Sequence, residues 1–134
     1  MTTKEILEKY KTIVVYGMST NPAKPANEVP HYMMARGYKI IPLNPTVEEI
    51  DGMKSYKSLM DIPDEIEILD VFRRSEDCLA VVEEAVERKK ARGDVKVIWL
   101  QLGIVNNEAK KLAEENGIEF VQDKCIKIEY NINF

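Results

Sequence analysis

The sequence predicts an α/β domain of Rossmann-like, doubly wound type: a mainly parallel five-stranded sheet with helices on both faces. Three observations predict it. Five β-type runs alternate with amphipathic helical stretches along the chain. Several of those runs are almost continuously apolar and β-branched, the pattern of strands covered on both faces. The connections are short, as in βαβ units, and right-handed crossovers leave this arrangement as the leading topology.

A short helix is expected at Thr3 to Lys9. The first strand, Lys11 to Tyr16, stops at Gly17. Val29, Tyr32 and Met33 recur at helical spacing and end at Gly37, which suits the position just past a helix. Asn27 is the expected N-cap of that helix, with Pro30 in its first turn where a missing N–H is tolerated. The second strand, Tyr38 to Leu43, ends at Asn44-Pro45, and one turn is expected near Ser58-Leu59-Met60. The third strand, Glu67 to Phe72, ends at Arg73-Arg74.

Cys78, Val81, Val82, Ala85 and Val86 then form a stripe, with Glu83, Glu84, Glu87 and Arg88 mostly outside it. Acids in its first turn and Lys89, Lys90 and Arg92 in its last suit the helix dipole. The basic run from Arg88 to Arg92 is therefore expected to be a solvated helix end. Val95 to Leu100 reads as a fourth strand, with Trp99 in the core. Asn106 caps a helix ending at Gly117, and Ile118 to Val121 is a shorter fifth strand.

The 134 residues suit one domain, and 45% apolar with 31% charged residues is a globular balance. A net charge of −4 gives no general attraction to nucleic acid or anionic membrane. No apolar run approaches the ~20 residues of a membrane span. The charged N-terminus is not a secretory leader, and two cysteines without CxxC spacing suit a reduced, cytoplasmic compartment. With one histidine, His31, and no Cys/His cluster, zinc would lack its usual ligands.

The chemistry-bearing segment is the first strand-to-helix loop, Gly17 to Asn27. Gly17 permits a tight turn, Ser19 and Thr20 offer hydroxyls, Lys24 brings a positive charge, and the loop amides point toward the helix start. Together these favour an anion, although Glu28 nearby would repel one. A dinucleotide fingerprint needs G-x-G-x-x-G and an acid at the end of strand two. Here there is one glycine, and strand two ends in Asn44-Pro45. No GK[ST] occurs either, so NAD and ATP are both disfavoured.

The segments VVYGMSTNPAKPANEV, GYKIIPLNP, DIPDEIEILDVFRRSED, VIWLQLGI and DKCIKIEY, in that order from Lys11 to Tyr130, resemble the small single-domain CoA-binding protein family. That family is related to the N-terminal CoA-binding domain of the succinyl-CoA synthetase α chain. The resemblance implies coenzyme A, or an acyl-CoA, as the ligand. It implies that Gly17, Met18, Ser19 and Thr20 wrap the pyrophosphate, with Lys24 where the family often has arginine. Asn44 and Pro45 would line the adenosine end, and Val71, Phe72 and Arg73 would sit beside adenine or the ribose 3′-phosphate. Gln101, Leu102 and Gly103 would border the pantetheine path. Asn27 departs from a frequent serine, and Ile126 stands where Cys-Pro is usual.

Arg73-Arg74 is the best second anion site, since guanidinium forks phosphate, with pairing to Glu76 or Asp77 as the alternative. His31 reads as a surface or packing residue. Cys125, despite its lysine neighbour, is more often a buried small apolar group. Nothing in the spacing unites a nucleophile with a base. The expected function is thus non-catalytic binding of a small-molecule ligand, CoA, without nucleic acid or membrane; a protein partner or homo-oligomer stays open. The alternatives are a small nucleotide-dependent enzyme, of oxidoreductase or acyl-group chemistry, using the same cleft, and an interaction module with a decayed nucleotide site.

Overall fold

A computed structural model describes residues Met1–Phe134. Helix α1 (Thr3–Lys9) opens the chain with a capping box, in which Thr2 and Glu5 satisfy each other's backbone N–H. Strand β1 (Thr12–Tyr16) leads through the glycine loop into α2 (Pro25–Met34) and β2 (Lys39–Leu43). A small antiparallel hairpin, β3 (Glu49–Ile50) with β4 (Met53–Lys54), follows. Then come a 3-10 turn at Leu59–Asp61, β5 (Ile68–Val71), a second 3-10 turn at Ser75–Asp77 that holds the acids expected in the first turn of the next helix, α3 (Cys78–Arg92) and β6 (Val97–Leu100). Helix α4 (Asn107–Glu115), β7 (Glu119–Val121) and α5 (Ile126–Asn133) complete the chain.

The main sheet has five strands in the order β2-β1-β5-β6-β7, and every pairing is parallel. Alternate residues feed two separate cores. Val14, Leu69 and Ile98 pack under α3 and α4 with Val82, Ala85, Ala109 and Ala113. Ile13, Val15, Ile68, Val97 and Trp99 pack under α1, α2 and α5 with Ile6, Leu7, Met33 and Ile126. The expected Rossmann-like, doubly wound fold is therefore the fold of this chain, and each of its five strands falls within an expected run. Asn106 caps α4 as expected, accepting from the Ala109 amide at 2.9 Å.

Three local expectations need correction. The N-cap of α2 is Lys24, not Asn27, and Pro30 lies inside the helix. Pro25 at the first helical position sets the earlier start, because its fixed φ is ready for a helix and it has no N–H to satisfy. Arg88 is not solvated: it is 1% exposed, pairs with Asp94 at 2.8 Å and donates to the carbonyls of Leu59, Ile62 and Asp64. It pins the turn before β5 to α3. Helix α5 and the β3–β4 hairpin were not anticipated.

Candidate functional site

Strand order reverses between β1 and β5, since the chain leaves β1 toward β2 on one side and returns to β5 on the other. Ligands of such sheets sit beyond the strand ends at that point. The two strands stay in register to their last residues, and the Phe72 amide donates to the Tyr16 carbonyl at 2.9 Å just beyond. Gly17 has φ +91°, and a β-carbon there would lie 2.8 Å from the Phe72 carbonyl oxygen. Glycine is thus required here by a neighbouring backbone as well as by its own conformation.

The loop after Gly17 is braced before any ligand arrives. Asn27, almost fully buried, donates to the Ser19 carbonyl at 2.8 Å and to Asp51 Oδ2 at 2.9 Å. His31 Nε2 meets the same Asp51 oxygen at 2.8 Å. Hydrogen bonds from His31 and then Asn27 hold the Asp51 carboxyl below its ordinary range. The histidine therefore has a carboxylate partner that sequence distance concealed, since Asp51 sits at the tip of the hairpin. Asn44 donates to the Met18 carbonyl at 2.9 Å, tying the end of β2 to the same loop.

At the start of α2, Pro25 has no N–H, and the Asn27 and Glu28 amides return to the Lys24 carbonyl. The helix has no side-chain cap. The Ala26 amide is the donor left over, and Ala26 lines the larger of two adjoining clefts. That cleft, about 700 Å³, runs between α2 and α5 and is walled mainly by carbon: Pro25, Val29, Phe72, Leu102, Ile104 and Ile128. Lys24, Gln101 and Cys125 also face it. Glu28 and Lys127, on opposite walls, form an ion pair, so the acid near the loop is already neutralised.

The second cleft, about 390 Å³, is polar and is lined by Tyr16, Gly17, Asn44, Pro45, Thr46 and Asp77 among others. Phe72, Arg73 and Arg74 border both clefts and form the ridge between them. Arg74 is held by Asp77, 3.0 Å from its Nε, whereas Arg73 approaches the same acid no closer than 3.7 Å. Arg73 is the freer of the two guanidinium groups.

Of the sequence-predicted residues, Gly17, Lys24, Asn44, Pro45, Phe72, Arg73, Gln101 and Leu102 come together on these two clefts. Met18 and Val71 do not present side chains there: both are fully buried in the cores. Ser19 and Thr20 line neither cleft, and Ser19 Oγ accepts from the Asn21 amide at 3.0 Å. Gly103 is exposed and donates to Asp123 Oδ1 at 2.7 Å. Sequence reasoning missed Asp70, an acid in the middle of an apolar strand, which takes a hydrogen bond of 2.6 Å from Gln101. Burial pushes its carboxyl up to about 7, with the Gln101 bond opposing. Burial also pushes the Cys78 thiol up to about 11. No group of three His, Cys, Asp or Glu side chains could hold a metal, and no helix is long and apolar enough to cross a membrane.

Comparison with known proteins bears on this geometry. The chain is 41% identical to the uncharacterized protein YneT of Bacillus subtilis over 129 residues, covering 96% of this chain and 92% of that one. A solved structure from Thermus thermophilus, cell-free ID.343, superposes with a TM-score of 0.90 at 33% identity over the full length of both chains. An ADP-forming acetate–CoA ligase of Methanocaldococcus jannaschii is 26% identical over 122 residues, which are 88% of this chain but only 17% of the ligase. The family model described as a CoA binding domain matches residues 11–131. The chain belongs to that CoA-binding domain family.

Proposed function

We propose that this protein binds coenzyme A or an acyl-CoA without transforming it, along the β1–α2 loop and across the Phe72–Arg74 ridge. One observation carries the reading: two adjoining clefts of opposite character share that ridge. CoA is itself divided in this way, into a charged adenosine phosphate and a long, weakly polar pantetheine arm. The polar cleft, with Asn44, Pro45 and Thr46, suits the adenosine end, and the carbon-walled cleft suits the arm. Lys24 and the Ala26 amide stand at the α2 end and Arg73 on the ridge, where a pyrophosphate joining the two halves would lie.

Binding without catalysis is supported by how the reactive groups are used. His31 Nε2 is engaged with Asp51 and lines neither cleft. Cys78 is buried with its thiol held protonated. The related ligase extends far beyond the shared segment, leaving room there for catalytic modules.

Calorimetric titration with CoA and with NAD tests the reading. Because β2 ends in Asn44-Pro45 rather than an acid, CoA should bind more tightly. NAD binding of equal or greater strength overturns it.

A further inference from the structure

Asp70 lies in β5 among Ile68, Leu69 and Val71, and it is 1% exposed. Val15 of β1 and Trp99 of β6 flank it in register. Helices α2 and α5 add Val29, Met33 and Ile126 on the same face, all uncharged. No cation pairs with it. An acid so enclosed costs stability that an apolar residue would not. Its one side-chain partner is Gln101, whose Nε2 donates to Oδ1 at 2.6 Å.

Gln101 is itself 5% exposed, yet it forms part of the wall of the carbon-lined cleft. Its carbonyl Oε1 accepts no hydrogen bond from the protein. Since no fully enclosed side-chain nitrogen or oxygen in the molecule lacks a partner, that oxygen keeps some solvent access on a residue that lines the cleft. An ionised carboxylate only accepts. When ionised, Asp70 therefore draws the amide NH₂ inward and leaves the carbonyl outward.

We propose that Asp70 is a positioning residue, fixing the Gln101 carboxamide so that its carbonyl accepts an N–H from the secondary-amide arm of the ligand. For CoA that arm is pantetheine, and this identification rests on the CoA reading above. A proton on Asp70 removes that constraint: its O–H can donate to the Gln101 carbonyl and so withdraw it from the ligand. The charged and titratable groups lining the cleft are Lys24, Glu28, Arg73, Arg74, Cys125 and Lys127. The upward displacement of the Asp70 proton equilibrium follows from enclosure, with the Gln101 bond opposing it.

Binding of CoA, pantetheine and adenosine 3′,5′-bisphosphate to the wild type, Asp70→Asn, Asp70→Leu and Gln101→Leu tests the assignment. Gln101→Leu and Asp70→Leu should weaken pantetheine and CoA about tenfold, the scale of one buried hydrogen bond, and leave the bisphosphate within about twofold. Asp70→Asn, which like the protonated acid offers a donor beside its acceptor, should bind pantetheine as weakly as the wild type does in acid. Pantetheine carries no group that ionises between pH about 5.5 and about 8. Its affinity for the wild type should nevertheless fall on acidification across that range, and this fall should vanish in Asp70→Asn. The assignment is overturned if Gln101→Leu binds pantetheine normally, or if both fragments weaken equally. Wild-type protein that binds pantetheine but neither CoA nor the bisphosphate overturns the CoA reading and leaves this assignment to its variants. Failure to bind CoA and pantetheine alike overturns both.

Discussion

Gly17 and Phe72 meet where β1 and β5 part, and a β-carbon on the glycine would stand 2.8 Å from the phenylalanine's carbonyl oxygen. Real β-carbons do not come that close, and φ +91° is already a conformation that side chains resist. From sequence alone, Gly17→Val would crowd a ligand and spare the fold. The structure predicts instead that even Gly17→Ala lowers stability, by about 1–3 kcal/mol for the backbone conformation. CoA affinity should fall with it. Urea unfolding beside calorimetry checks both; unchanged stability contradicts the contact.

Arg88 gives the largest expected stability effect. Replacing it with alanine leaves Asp94 buried without its cation and strips the carbonyls of Leu59, Ile62 and Asp64 of their donor. Breaking one side of such a pair costs about 3–5 kcal/mol. Exposed Lys90, two residues on, should change stability by no more than about 0.5 kcal/mol when replaced by glutamine. Urea midpoints for the two variants make the comparison.

The same arginine marks where the sequence was legible and where it was not. Apolar β-branched runs fixed the strands, and the Cys78–Val86 stripe fixed α3, because both patterns are local. Arg88 sits in a basic run that resembles a solvated helix end. Its burial depends on Asp94 and on three carbonyls from the turn before β5, none adjacent to it in sequence. The Asp51–Asn27–His31 brace was hidden for the same reason. The hairpin tip did leave a local signal, Asp51-Gly52, with φ values of 50° and 83°; that dipeptide is a strong hairpin cue. Pro25 likewise marked the true start of α2. In the site, the strand-end residues and Lys24 were legible from topology, whereas the inward side chains of Met18 and Val71 were not. Asp70 was passed over because one acid does not break an apolar strand pattern.

Stability should fall as pH rises through the neutral range, and Asp70 is the cause. Its folded-state carboxyl titrates near 7 because of burial, whereas an unfolded aspartate titrates near about 3.9. The folded state thus binds the proton more strongly. The stabilisation is fully present below about pH 4 and is lost as pH climbs to about 7. Asp94 acts in the other direction: burial is outweighed by hydrogen bonds from Arg88 and the Ile66 amide, and its carboxyl is held low. Its contribution is lost only in acid, below the ordinary carboxylate range. Denaturation between pH about 5 and about 7 should show a declining stability that Asp70→Asn flattens. An equal slope in the variant excludes Asp70 as the source.

Lys24 and Arg73 should supply the electrostatic part of CoA affinity, since both line the clefts in a chain of net charge −4. Glutamine at either position should weaken binding and flatten its salt dependence, because screening acts on a charge no longer there. Lys90→Gln is the control, on the far end of α3. Titrations at low and high salt decide it, and equal losses from Lys90 and from the other two contradict the site.

One ligand should lie across both clefts over the Phe72–Arg74 ridge. Amide chemical-shift mapping of the ¹⁵N-labelled protein during CoA titration tests it most directly. Shifts are expected at Gly17 and through the loop to Ala26, at Asn44 and Thr46, at Phe72 to Arg74, and at Gln101 and Leu102. Shifts confined to the β1–α2 loop, or centred on α4 around Lys110 and Glu114, would contradict it.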